Sequence, residues 1–367
     1  MEDSAATLIL NTREAPNQEV ARRSVLKRYF LLSLLVSTWV PFLFFILVAP
    51  SHPGSGSLSA VKTVFLFLGT AHVPATLFFY TDRAFSPIIR KHKFRYVYAP
   101  ILLAVTTGLL FAFLSTTGQA FLLLAYWAWQ AFHYGRQNIG IYAFASIAQT
   151  GTAPHRMEKL AIDFGTILGI LGTFKILGTA VAPAYLHRTF GNLYQFGHIA
   201  FAAVLLFSLI VYVKLYRNTT LFKTLFFFTS VFFFYPVFIS TDMNIGFLSY
   251  AMAHGLQYII FMTVISVNDP PETGRGTVQF KNIMWLLVFV LVIGFVFYRG
   301  GELRTLEAIR NNTVYLKLAD FLFGALLGAT MGHFVIDAGA WKLSSVLQRT
   351  YITKRFGFIF NKESAGT

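Results

Sequence analysis

YVYAPILLAVTTGLLFAFLSTTGQAFLLLAYWAWQAFHYG, residues 96–135, runs forty positions without a charged side chain. An apolar helix crosses a hydrocarbon core of about 30 Å in about 20 residues, so this stretch is twice the length of one span. The small polar turn Ser115-Thr116-Thr117-Gly118 divides it, and the stretch reads as a transmembrane hairpin. Outward from it lie further uncharged runs at Tyr29–Val61, Thr189–Val213 and Met243–Asn268. Composition agrees: 56% of the 367 residues are hydrophobic and 12% charged, about half the charge of a soluble domain.

The pattern predicts an all-α, polytopic transmembrane helical bundle of about ten spans, at 29–49, 60–81, 97–115, 119–143, 158–182, 191–213, 220–240, 243–267, 281–298 and 316–341. A polar tail, 1–28, precedes the membrane domain, 29–343, and a basic tail, 344–367, follows it. Ten spans put both termini on one side. Lys and Arg accumulate in cytoplasmic loops, and with cytoplasmic termini 22 of the 30 basic residues fall inside. The expected location is the bacterial inner membrane. The net charge of +15 is accounted for by these short loops and anionic-lipid contacts, so no nucleic-acid partner is expected. The chain has no cysteine, which excludes disulfides and thiolate metal sites. Its first twenty residues are mixed and polar, unlike a cleavable signal.

Polar residues inside the spans carry the functional information, because ionisable groups at membrane depth cost about 2.5–3.5 kcal/mol and normally face a protein interior. Of nine histidines, His52, His92, His155 and His187 fall in loops. His72, His133, His254 and His333 lie on even-numbered spans that run in the same direction. At about 1.5 Å per residue they cluster within about 9 Å of depth, whereas His198 lies toward the outer face. Each has polar neighbours at helical spacing: Thr76 and Tyr80 beside His72, and Tyr126, Gln130 and Gln137 beside His133, with Arg136 adjacent. Tyr250, Gln257 and Tyr258 accompany His254, and Thr330, Asp337 and Trp341 accompany His333.

Neutral imidazoles with a carboxylate are a donor set for Zn, Fe, Cu or Mn, and Asp337 and Gln137 are placed to orient them. No HExxH, HxxHH or tight pair of histidines is present, so each ligand would come from a separate helix. Arg136 either pairs with Asp337 across the bundle or binds a substrate headgroup. Tyr126, Trp127, Trp129 and Phe132 surround His133, and with Tyr134, Gln257 and Tyr258 they are candidates to contact a lipophilic substrate. Phe226–Phe234 reads as lipid-facing or packing surface, and Lys175 as a snorkelling residue.

The layout of about ten spans with dispersed histidines, together with the segment His333-Phe334-Val335-Ile336-Asp337, is similar to the Brp/Blh-type bacterial membrane carotenoid oxygenases. That resemblance implies histidine-bound iron, molecular oxygen and an apolar polyene substrate. Three functions stay open: a metal-dependent membrane oxidoreductase with a separate redox partner, a small-solute or proton-coupled transporter, and a haem-binding electron carrier. The competing account of the histidines is that each bonds to a neighbouring helix and holds the bundle together.

Overall fold

The computed structural model describes residues 16–44, 56–215, 219–239, 243–268, 280–300, 306, 309 and 311–360. The first fifteen residues of the expected N-terminal tail, most of the small loop Ser51–Ser57, most of the external segment Arg299–Thr313 and residues 361–367 lie outside the described residues. Among the described residues every regular element is a helix. In chain order these are α1 (Pro16–Leu43), α2 (Gly56–Ala75), α3 (Phe78–Thr81), α4 (Ser86–Lys91), α5 (Ala99–Phe113), α6 (Thr116–Thr150), α7 (Arg156–Val181) and α8 (His187–Leu215). There follow α9 (Leu221–Phe232), α10 (Pro236–Ile239), α11 (Met243–Val267), α12 (Phe280–Leu287), α13 (Gly294–Gly300), α14 (Thr313–Ala340), α15 (Val346–Arg355) and α16 (Gly357–Phe360).

By length and composition, six helical stretches among the described residues can cross a membrane: Val20–Leu43, Phe94–Phe113, Ala184–Leu215, Gly246–Val267, Phe280–Gly300 and Thr313–Ala340. The protein is a multi-pass membrane bundle. Its exposed surface is apolar along these stretches, as at Ile101, Leu102, Ile199, Leu206, Val292 and Phe295. Helices α6 and α7 are long enough to join them but carry polar residues that the bundle takes inside, including His133, Asn138 and Thr166.

The hairpin at 96–135 forms as α5 and α6, with Ser115 capping the second helix through a bond from the Gly118 amide. Two expected spans are interrupted. Pro74 ends α2 early, and tighter bonds, Thr76 N–H to Val73 and Leu77 N–H to Pro74, turn the chain before α3. The span expected at 220–240 breaks likewise between α9 and Pro236 at the start of α10. Phe226, Phe227, Phe233 and Phe234 are buried, so the Phe-rich stretch is packing rather than lipid-facing surface.

Without a hydrophobic driving force between helices in lipid, small residues set how closely backbones approach. Gly324, Gly328 and Gly332 repeat every four residues along α14 and seat it directly on the α5 backbone at Thr107–Gly108, Leu103–Ala104 and Pro100. A methyl at Gly328 would overlap the Leu103 carbonyl and Ala104 Cα, whereas one at Gly140 meets nothing within 4 Å. Gly328→Ala is therefore expected to cost about 1–3 kcal/mol by overpacking. Gly140→Ala should instead gain about 1 kcal/mol from helix propensity. Thermal unfolding in detergent reads both.

The segment read as a basic C-terminal tail folds back as α15 and α16. Phe356 packs against Phe30, Phe144 and Phe261, at 5.2–5.7 Å between ring centres. Arg355, within the expected basic tail, is buried. It bonds to the Asp82 carboxylate at 2.8 Å and to the Ile265 carbonyl at 3.0 Å, and Tyr351 donates to the same carboxylate at 2.6 Å. Lys223 is buried too, 3.4 Å from Glu158, which also accepts from Tyr142 at 2.6 Å. Lys175, expected to snorkel, lies 4.2 Å over the Tyr194 ring.

Candidate metal centre

Four helices each contribute one imidazole to a closed ring. Between ring centres, His72 on α2 is 4.6 Å from His254 on α11, and His254 is 5.0 Å from His133 on α6. His133 is 5.3 Å from His333 on α14, which is 5.0 Å from His72. Four points on sides of about 5 Å lie about 3.5 Å from their midpoint. An imidazole bound to an ion there would have its centre about 3.2 Å away, from a metal–nitrogen bond of about 2.1 Å and about 1.1 Å within the ring. All four imidazoles and Asp337 are buried. Small residues make this convergence possible: Gly255, next to His254, rests on the backbone of Leu68 and Gly69, one turn before His72.

The hydrogen bonds around the ring fix which atoms face its centre. His72 Nδ1 lies 2.6 Å from the Gly69 carbonyl oxygen, so Nδ1 carries the proton and Nε2 offers its lone pair. That Nε2 is 3.1 Å from His254 Nε2. Two bonds of about 2.1 Å to a shared ion would subtend about 95° across this gap. His333 Nδ1 bonds to Thr76 Oγ1, which is 2.7 Å from the Tyr258 hydroxyl, and Tyr258 donates to Asp337 Oδ1 at 2.8 Å. Read in one direction, each group donates once, from His333 through Thr76 and Tyr258 to Asp337. This leaves the His333 Nε2 lone pair and Asp337 Oδ2 directed inward. The break in the chain after Ala75 is what turns Thr76 into this relay.

Among the described residues, His133 Nε2, His254 Nδ1, His333 Nε2 and Asp337 Oδ2 are buried without a hydrogen-bond partner. Asp337 Oδ2 stands 3.4 Å from His333 Nε2 and 3.9 Å from His133 Nε2. Each unsatisfied buried polar atom costs about 1–3 kcal/mol, so a cluster of them is a poor way to hold helices together. It suits an ion. Two triads have ligand atoms within 4.8 Å of one another, His72–His254–His333 and His133–His333–Asp337. Ligands on opposite sides of one ion stand about 4.2 Å apart. His333 belongs to both triads.

The other residues singled out by sequence divide. Tyr258 touches Asp337, and Tyr134 lies 4.0 Å from His254 between ring centres, with its hydroxyl accepting from Gln130 at 2.6 Å. Tyr126 is buried two turns from His133 on the same face of α6. Gln137 Nε2 donates to the His254 carbonyl at 3.1 Å, so it ties α6 to the backbone of a ring histidine. Gln257 instead faces α1, donating to Thr38 at 2.6 Å, and Trp129 points outward, 43% exposed. Arg136 does not pair with Asp337. Three residues beyond His133 it has rotated out of the ring, and it bonds to Asp163 of α7 at 3.1 Å on the exposed surface. His198 stacks on Phe238, away from the cluster.

Sequence reading gave Phe334 no role, yet its ring stacks on His133 at 4.0 Å and 16°. Its position next to His333 was the one available signal. No protein-family model, curated protein or solved structure matches this chain, so its functional reading rests on the ring of imidazoles and the carboxylate beside it.

Proposed function

We propose that the chain is a metal-dependent integral-membrane oxidoreductase of the oxygenase type, in which His72, His133, His254, His333 and Asp337 hold a transition-metal ion. One observation carries this reading: four imidazoles on four helices surround a point, and three buried atoms there, His133 Nε2, His333 Nε2 and Asp337 Oδ2, have no other partner among the described residues. The all-nitrogen and oxygen donor set suits iron, manganese, zinc or copper. Iron is the ion we assign, and when bound it supplies the one-electron and dioxygen chemistry that side chains lack. A separate protein would supply electrons.

The chain's own groups position and enclose. Tyr258 and Thr76 lock Asp337 and the His333 tautomer, while Phe334 and Tyr134 wall two sides of the ring with apolar faces. Such walls exclude water and favour a lipophilic substrate that arrives sideways from the bilayer. The topology we assign has about ten spans and cytoplasmic termini in the bacterial inner membrane. It is supported by the contact of Phe30, midway along α1 and at the start of the first expected span, with Phe356 and Phe358, which follow the last expected span.

A proton- or solute-coupled transporter is the second reading, supported by the interrupted helix at Pro74 beside the cluster. A haem carrier is less favoured, because a macrocycle between two of these imidazoles would occupy the positions of the other two. Elemental analysis with a visible spectrum, on protein purified in mild detergent, separates the three. Near-stoichiometric iron without a Soret band is expected, and Tyr258→Phe should weaken metal retention about 10–100-fold by releasing Asp337. Protein that is metal-free and refractory to reconstitution would overturn the proposal in favour of transport.

A further inference from the structure

Arg136 and Asp163 form an ion pair with side chains 54% and 36% exposed, on a surface otherwise built of Trp129, Phe132, Phe164 and Ile167. An exposed pair of this kind contributes about 0–1 kcal/mol, so stability does not explain it.

Its depth does. Arg136 is twenty residues from Thr116 at the start of α6, about 30 Å along the helix, and Asp163 is eighteen residues from Val181 at the end of α7, about 27 Å. Both distances match the thickness of a hydrocarbon core. On α5, the antiparallel partner of α6 in the hairpin, Arg95 is eighteen residues from Phe113 and comes to the same level. Taking those helix ends as the far boundary of the hydrocarbon core puts the pair where acyl chains give way to headgroups, on the face expected to carry the basic loops.

We infer that Arg136 and Asp163 form a binding site for a zwitterionic phospholipid with a primary ammonium, the phosphate on Arg136 and the ammonium on Asp163. The charges match one for one. Arg136 spends a single Nη1–H on Asp163 Oδ1, and its fork of donors fits phosphate oxygens. Asp163 accepts N–H bonds that a primary ammonium can give and a quaternary one cannot. Phe132, Trp129, Phe164 and Ile167 lie on the acyl-chain side of the pair. One turn toward the aqueous side the α6 surface is open at Gly140, where an added Cβ meets nothing within 4 Å. Lys159, one turn below Asp163 on α7, adds positive charge at the headgroup level. This site stands whether or not the ring of histidines holds a metal.

Native mass spectrometry of the full chain in detergent, titrated with phosphatidylethanolamine, phosphatidylcholine or phosphatidylglycerol, tests it. Ethanolamine lipid should bind about tenfold more tightly than choline lipid, and Asp163→Asn should erase that difference. Arg136→Gln should weaken all three, and Arg136→Lys should restore part of the loss. If Arg136→Gln does not fold, Gly140→Leu, which fills the open surface, should lower ethanolamine-lipid binding in the same way. Equal binding of ethanolamine and choline lipids by the wild type would overturn the site, as would preference for glycerol lipid carried by Lys159. A lipid-free dimer that Arg136→Gln dissociates would also overturn it and assign this face to a second copy of the chain.

Discussion

His333→Ala is expected to leave the purified protein without bound metal, while His72→Ala retains a weakened fraction. His333 is the one imidazole common to both triads. Its Nε2 faces Asp337 Oδ2 at 3.4 Å, and its Nδ1 anchors the chain through Thr76 and Tyr258 that holds the same carboxylate. Removing it deletes a proposed ligand and releases Asp337 together. A loss beyond about 100-fold is expected, more than an orienting partner alone is worth. His72→Ala leaves His133, His333 and Asp337 in place and should cost less. Competition against a chelator of known affinity, with elemental analysis, measures both. Identical retention by wild type and His333→Ala would remove the ring as the metal site.

Arg355→Ala is expected to give the largest loss of stability. Arg355 and Asp82 are both buried, and the arginine joins α15 to the turn after α3 and to the end of α11 through the Ile265 and Asn268 carbonyls. Removing one partner of a buried pair leaves the other charge in a low-dielectric interior, at a cost of about 3–5 kcal/mol. Tyr351 still donates to Asp82 at 2.6 Å and offsets part of this. The double replacement Asp82→Asn with Arg355→Met removes both charges and should recover most of the lost stability. Thermal unfolding of the three proteins in one detergent decides it. An unchanged midpoint in Arg355→Ala would mean that α15 is not docked as described.

These two contacts also separate what a linear reading reaches from what it does not. The hairpin at 96–135 was legible because a bilayer imposes the same length on every helix that crosses it, and the turn Ser115–Gly118 is local chemistry. Depth was legible for the same reason. A helix rises by a fixed step, so His72, His133, His254 and His333 could be placed in one layer and His198 outside it before any contact was known.

Rotation was not legible. Whether a side chain turns toward a neighbour depends on the phase of its helix against helices far away in sequence. Arg136, about one turn beyond His133, faces outward to Asp163, and Gln257, one turn from His254, faces Thr38 instead of the ring. Arg355 was equally hidden, because its partner Asp82 lies in a turn 273 residues away. By itself the sequence determined the membrane bundle and the layer of histidines, through local hydrophobic length and helical rise. Only the tertiary structure decided that four imidazoles close a ring on Asp337 and that Arg136 leaves it. Helix orientation is set by the packing of small residues such as Gly255 and Gly328 against backbones from distant parts of the chain.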